Sequence, residues 1–117
     1  MNAPRATGLG LAFVLFGTAA ILPSRAPAGC YKILGCTDKD RFTDFALLPL
    51  SCENLAYLRN SMFAENGYCF EQPRYKRQFG NGDCRFTRAD EVPLNDAERA
   101  NVSAILEVEK QKGCPVE

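Results

Sequence analysis

Six cysteines are the residues of this chain with the clearest chemistry. They are even in number, and the 117 residues contain no histidine. Without histidine and without a C-x-x-C spacing, the pattern suits neither a structural zinc site nor a thioredoxin-type redox centre. It is typical of a protein with three disulfides in an oxidising compartment. The cysteines are Cys30, Cys36, Cys52, Cys69, Cys84 and Cys114.

Catalytic chemistry has few candidate residues. The absence of histidine rules out Ser-His-Asp and Cys-His arrangements. Glu107 and Glu109 are two positions apart, so a helix would splay their carboxylates around its axis. We interpret the other candidates, Glu53, Glu65 and Glu71, as surface charges. The sequence therefore predicts no enzyme activity, no cofactor and no metal ion.

The densest basic cluster of the chain consists of Arg74, Lys76 and Arg77. Together with Tyr68 and Glu65, this cluster is our candidate binding surface, either for an unknown protein or for an anionic component of a cell envelope. A solvated charged face is the alternative, and it is the commoner meaning of such a cluster.

The overall charge argues against nucleic acid as a partner. Removing Arg5 and Arg25 with the leader described below leaves 12 of the 14 basic residues against 14 acidic ones, a net charge of −2. A nearly neutral domain has no global field that attracts a phosphate backbone. We expect no binding to nucleic acid.

The N-terminal residues 1–28 resemble a signal peptide. Arg5 lies before an uncharged apolar run, Gly8 to Leu22, and Ala26-Pro27-Ala28 offers a small-x-small cleavage pattern. The run is shorter than the roughly 20 residues that cross a bilayer. We expect it to be removed, and the mature chain not to be an integral membrane protein. The alternative is a lipoprotein acylated on Cys30, which would leave an odd number of cysteines.

The elements that position these residues are helical. A central helix is predicted over about 51–66, because Ser51 is a good N-cap and Leu55, Leu58 and Met62 recur at helical spacing. A short helix over about 73–79 begins at Pro73. These features predict a small all-α fold stapled by disulfides.

The last helix is predicted over about 95–112. Asn95 and Glu98 form a capping-box pattern, and Val102, Ile105 and Leu106, with Val108 beside them, form the expected buried stripe. It should pack antiparallel to the central helix.

Residues 29–49 are predicted to form an irregular N-terminal arm. Gly35 is interpreted as a turn after a short extended segment, and Phe42, Phe45 and Leu47 are expected to cover the helix pair.

The predicted helices favour one set of disulfides among the many that six cysteines permit. Two antiparallel helices bring together Cys52, at the start of the first, and Cys114, after the end of the last. Cys69 and Cys84 bracket the intervening loop, and Cys30 and Cys36 remain to pair locally.

The stretch Leu58 to Phe70 resembles the signature of the YARHG domain, a bacterial extracytoplasmic module. Arg59-Asn60, Phe63-Ala64, Gly67-Tyr68 and Phe70 match that signature, whereas Glu65-Asn66 replace its Arg-His pair. The resemblance implies a YARHG-like domain over residues 50–117, and the family has no established reaction.

Within the matching motif, Arg59 and Asn60 are predicted to be structural. Arg59 should pair with an acid of the last helix, and Asn60 should satisfy backbone groups near the Gly67 turn. Gly67, Tyr68 and Phe70 are likewise expected to be structural residues. The sequence thus predicts a periplasmic or secreted non-catalytic module of the bacterial envelope. The alternative is a small secreted effector or inhibitor that acts on another protein.

Overall fold

The computed structural model of the protein describes residues 29–115, so the predicted signal peptide over 1–28 lies outside the described residues. The described part is mainly helical, with three disulfides, which confirms the predicted fold class. In chain order its elements are β1 Cys30–Tyr31, β2 Gly35–Cys36, α1 Asp44–Leu47, α2 Cys52–Glu65, α3 Pro73–Phe79, a 3₁₀ turn Ala89–Glu91 and α4 Asp96–Lys112. No helix within these residues is long and apolar enough to cross a membrane.

Helix α2 begins where its sequence provides a cap. The Ser51 hydroxyl accepts a hydrogen bond from the backbone N–H of Asn54 at 3.1 Å. The apolar stripe of the helix, which consists of Leu55, Leu58 and Met62, is buried. Hydrophobic burial of this stripe against α4 forms the centre of the core.

The two long helices are antiparallel. Cys52 at the start of α2 is bonded to Cys114 after the end of α4, whereas Asn66 at the end of α2 donates a hydrogen bond to Glu98 in the first turn of α4. Only an antiparallel arrangement brings both pairs of ends together.

The buried face of α4 differs from the predicted stripe. Ile105 and Val108 are fully buried as expected, and Val102 is partly buried, but Leu106 is 49% exposed. Each residue turns a helix by about 100°, so Leu106 falls outside a stripe centred on Ile105 and Val108. Polar Asn101 lies in the stripe instead.

The segment before α2 also departs from prediction in two places. Gly35 pairs with Tyr31 across the hairpin, so the turn consists of residues 32–34. Phe45 is 87% exposed, although Phe42 and Leu47 are buried as expected. In α1, Phe45 and Leu47 are two positions apart and point in nearly opposite directions.

Asn101 fastens this N-terminal segment to α4. Its side-chain oxygen accepts the backbone N–H of Phe42 at 2.8 Å. Its side-chain nitrogen donates to the carbonyls of Thr37, at 3.0 Å, and Asp40, at 2.8 Å. Because Asn101 is only 1% exposed, these bonds lie away from water. Residues 37–42 are therefore integrated with the helix pair.

The three disulfides join Cys30 to Cys36, Cys52 to Cys114 and Cys69 to Cys84. These are the pairs that the predicted helix arrangement favours. Cys114 reaches its partner because Gly113, at φ 68°, reverses the chain after α4, and the Cys114 N–H donates back to the Glu109 carbonyl.

Replacing Cys52 and Cys114 together by alanine should be the most destabilising disulfide removal. The bond closes a separation of 62 residues, and its loss should cost about 4 kcal/mol of unfolding free energy. Removing Cys30–Cys36, which spans 6 residues, should cost about 2 kcal/mol. Urea unfolding measures both, and a larger loss from the short-loop pair would contradict the chain-entropy argument.

Replacing Asn101 by alanine should loosen the N-terminal segment. The change leaves the Phe42 N–H and the Thr37 and Asp40 carbonyls without this partner, at a cost of about 3 kcal/mol. Urea unfolding and hydrogen exchange over residues 37–42 measure the effect. Asn54→Ala on the exposed face of α2 is the matched control, and an equal loss in the control would refute the role of Asn101.

Candidate functional site

The turn after α2 is built by the residues that carry the family resemblance. Gly67 has φ 91°, and the N–H of Tyr68 donates to the Phe63 carbonyl at 3.0 Å, which closes a Schellman motif. Gly67 also accepts the N–H groups of Arg85 and Phe86 through its carbonyl, at 2.7 and 2.9 Å. The turn is thereby fixed to the loop that ends with Phe86.

Beyond this turn the chain enters an aromatic cluster. The Tyr68 and Phe70 rings are 4.9 Å apart, and Phe70 stacks on Phe79 of α3 at 5.2 Å. Phe79 in turn stacks on Tyr57 of α2 at 5.3 Å. Such ring pairs stabilise beyond the area that they bury. Tyr68 and Phe70 are thus structural residues that hold α3 on α2.

Asn81 secures the same segment, a role that the sequence analysis did not find. Its side-chain oxygen accepts the Phe70 N–H at 3.0 Å, and its side-chain nitrogen donates to the Phe70 carbonyl at 2.8 Å. A sequence offers no signal for this pairing beyond the Asn-Gly turn itself, because the two residues are 11 positions apart.

Arg59 forms an ion pair with Glu109 of α4. Its Nε and Nη2 atoms donate to the two carboxylate oxygens at 2.8 and 3.1 Å, and the side chains are 12% and 9% exposed. Arg59 therefore pairs with an acid of the last helix, as predicted. The same contact shows that Glu109 is a buried structural acid.

The predicted role of Asn60 is wrong. Its side-chain nitrogen donates to the Ala56 carbonyl at 2.9 Å, one turn back along α2 and away from Gly67. An asparagine within a helix reaches the carbonyl four positions earlier more readily than a later turn. Asn66 has the role that was predicted for Asn60. Its side chain donates to the Met62 carbonyl, near the Gly67 turn, and to Glu98, both at 2.7 Å.

The basic residues of α3 surround a buried tyrosine. Tyr75 is 3% exposed, whereas Arg74, Lys76 and Arg77 are exposed. The Arg74 guanidinium lies 5.2 Å from the centre of the Tyr75 ring, and Arg74 lines a depression beside the Cys52–Cys114 bond. The aromatic residue between these cations, Tyr75, thus belongs to the core.

Glu65 and Tyr68, the other two residues of the predicted surface, lie in a separate cleft of about 760 Å³. Its wall also contains Phe79, Asp83 and Arg85. The sequence analysis did not place Arg85 beside Glu65, because their proximity depends on the fold. Because the cleft holds charges of both signs, it suits a polar ligand better than a simple anion.

The pKa of Glu65 is raised above its usual value. Partial burial of the carboxyl is the main cause, followed by the negative charges of Glu98 and Asp38. The replacement of the family's arginine by Glu65 therefore places an acid where its ionised form is disfavoured.

A second depression, of about 340 Å³, lies where α2, α3 and α4 meet. Its lining includes Arg59, Phe63, Tyr75 and the exposed Leu106. The sequence analysis missed it, because Leu106 was assigned to the core. Elsewhere, no cluster of acids and cysteines within residues 29–115 could hold a metal ion.

Replacing Arg59 by methionine should destabilise the fold by about 3 kcal/mol, because Glu109 would remain buried without its cation. Adding Glu109→Gln to that variant should restore part of the loss. A double-mutant cycle by urea unfolding measures the coupling. Arg88→Met is the control, since Arg88 and Asp90 are 68% and 65% exposed and their pair should contribute less than about 1 kcal/mol. An equal loss of unfolding free energy in Arg59→Met and Arg88→Met would contradict the role of the buried ion pair.

Comparison with known proteins identifies the family. The model of the YARHG domain matches residues 31–110, and so it includes most of the segment 29–49 that we described as an arm. Neither a curated protein nor a solved structure matches the chain. YARHG is an extracellular or periplasmic type of domain, with which three disulfides are consistent. On the strength of a match over most of its length, the chain belongs to the YARHG domain family.

Proposed function

We propose that the protein is exported by cleavage of a signal peptide and acts as a non-catalytic interaction module of the bacterial cell envelope, periplasmic or secreted. The exposed basic face of α3, which consists of Arg74, Lys76 and Arg77 and is called the α3 face below, contacts an anionic envelope component. The single observation that carries this proposal is the arrangement of these cations around the buried Tyr75.

The α3 face is well placed for a multivalent anion. Lys76 and Arg77 form no ion pair within the described residues, and α3 is fixed by ring stacking on α2. Cations on a fixed element lose little conformational entropy when a ligand binds. Phosphate-bearing lipids or glycans have the matching charge.

The non-catalytic part of the proposal is supported by how the candidate catalytic groups are engaged. All six cysteines are in disulfides, and Glu109, one of the candidate acids, is paired with Arg59. Such groups serve folding.

An effector or inhibitor of another protein is the alternative function. A long exposed loop between Cys69 and Cys84 would favour it. In the structure this stretch contains α3, whose Tyr75 and Phe79 pack on Phe70. No observation therefore favours the alternative over the envelope module.

Reversing two charges of the α3 face should abolish envelope binding. We expect Lys76→Glu with Arg77→Glu to weaken the affinity for phosphatidylglycerol vesicles by at least about 30-fold, because each cation near an anionic surface contributes about 1 kcal/mol. Co-sedimentation with the vesicles measures this affinity. Purified envelope fragments serve as a second probe, which detects glycan-bound anions.

The matched control is Lys39→Glu with Lys110→Glu, which changes the net charge equally at two exposed lysines outside α3. Circular dichroism verifies that both variants fold. Unchanged retention of the α3 variant on both probes would refute the α3 face as the binding surface.

A further inference from the structure

Gly29, directly before β1, is held in a conformation that only glycine adopts easily. Its φ is 83°, and a Cβ atom at this position would lie 2.4 Å from Oγ1 of Thr37. Its carbonyl accepts the Thr37 N–H at 2.9 Å. The backbone of Gly29 is therefore fixed against Thr37, and the position of its nitrogen is fixed with it.

The hydroxyl of Thr37 lacks a partner. Thr37 is fully buried, and its Oγ1 is the only buried side-chain polar atom within residues 29–115 without a hydrogen bond. Buried polar groups are nearly always hydrogen-bonded, so an unpartnered hydroxyl beside Gly29 indicates a missing partner, which a donor at Gly29 can supply.

Glu65 is a second group without a partner, and it lies in a depression that Gly29 also lines. Gly29 and Glu65 line one depression of about 390 Å³, together with Tyr31 and Ser61. Within the described residues the Glu65 carboxylate forms no ion pair and no hydrogen bond. The charges that raise its pKa, those of Glu98 and Asp38, are both negative.

We propose that cleavage between Ala28 and Gly29 creates a docking site for the new N-terminus, in which the α-ammonium of Gly29 pairs with Glu65 and donates a hydrogen bond to Oγ1 of Thr37. Water hydrolyses the peptide bond under catalysis by a signal peptidase. The carbonyl carbon of Ala28 gains the oxygen and leaves as a carboxylate, and the Gly29 nitrogen takes up protons to become an ammonium.

The ammonium supplies what both unpartnered groups need. A peptide nitrogen at Gly29 has one N–H donor and no charge, whereas an α-ammonium has three donors and a positive charge. The Cys30–Cys36 bond of the hairpin occupies the neighbouring thiol, so the paired hairpin is incompatible with an acyl group on Cys30. The inference rests on the proposed export, and it is independent of what the α3 face binds.

The test compares two forms of the protein in which only the N-terminus differs. The mature form begins at Gly29, as verified by intact mass after export. The extended form retains Ala26-Pro27-Ala28, which moves the ammonium by up to about 10 Å. Glu65→Gln is introduced into both, with Glu107→Gln on the exposed face of α4 as the matched control.

We expect Glu65→Gln to destabilise the mature form but not the extended form. In the mature form, Glu65→Gln should increase the unfolding equilibrium constant about fivefold, because a half-exposed ion pair is lost. In the extended form it should leave that constant unchanged or lower it, because the ionised Glu65 then has no ion-pair partner and is repelled by Glu98 and Asp38. Urea unfolding at pH 7 measures all variants, and the control should give a ratio near one in both forms.

A direct readout is the pKa of the Gly29 α-amino group, followed by NMR. Pairing with Glu65 should raise it above the usual range of about 7.7–8.0, and Glu65→Gln should return it there. The mature form should then lose its advantage as pH rises through the raised pKa, since the ammonium loses its charge. The other groups that face this site are Asp38, Glu98, Tyr31, Tyr57 and Arg85.

Two results would overturn the inference. One is an α-amino pKa that Glu65→Gln does not change, together with equal effects of that substitution in both forms. The other is an exported protein that begins at a residue other than Gly29. Either result leaves the vesicle and envelope binding of the α3 face intact, whereas a failure of that binding leaves the N-terminal site intact.

Discussion

The antiparallel contact between α2 and α4 is the interaction on which the rest of the structure depends. Leu55, Leu58 and Met62 meet Ile105 and Val108 in a core that a domain of this size cannot extend far. The contact is closed by Cys52–Cys114 at one end and by Asn66 and Glu98 at the other. The Arg59–Glu109 pair between these ends fixes the register, because a shift by one helical turn would separate a buried acid from its cation.

Around this contact, polar side chains hold short, irregular segments in place by hydrogen bonds to their backbone. Asn101 binds the backbone of residues 37–42, and Asn81 binds the backbone of Phe70. Neither segment forms enough regular structure to satisfy its own backbone groups, so side-chain amides, which donate and accept at once, replace the missing ladder. The fold is therefore specified by these side-chain amides as well as by its apolar residues.

The long helices and the disulfides could be predicted from the sequence because local signals determine them. Ser51, the Asn95–Glu98 capping box and the terminal glycines delimit the helices, and antiparallel helices constrain the cysteine pairs. The burial of Asn101 and the exposure of Leu106 could not be predicted, since each depends on which face of α4 meets α2. The surroundings of Glu65 also depend on the tertiary fold: the sequence analysis grouped it with the cations of α3, whereas the structure places it in a cleft with Arg85.

The family signature is explained almost entirely by folding, which bears on where function lies. Arg59, Gly67, Tyr68 and Phe70 hold helices or close a turn, so a match to them identifies the architecture and says little about a ligand. The residues of the signature that serve folding therefore leave the ligand to other positions of the chain. Glu65 is one such position, because it replaces a cation of the signature and lines one depression with Gly29. Gly29 directly precedes the hairpin that the Cys30–Cys36 bond closes, so the departure from the signature at Glu65 lies beside the N-terminal hairpin.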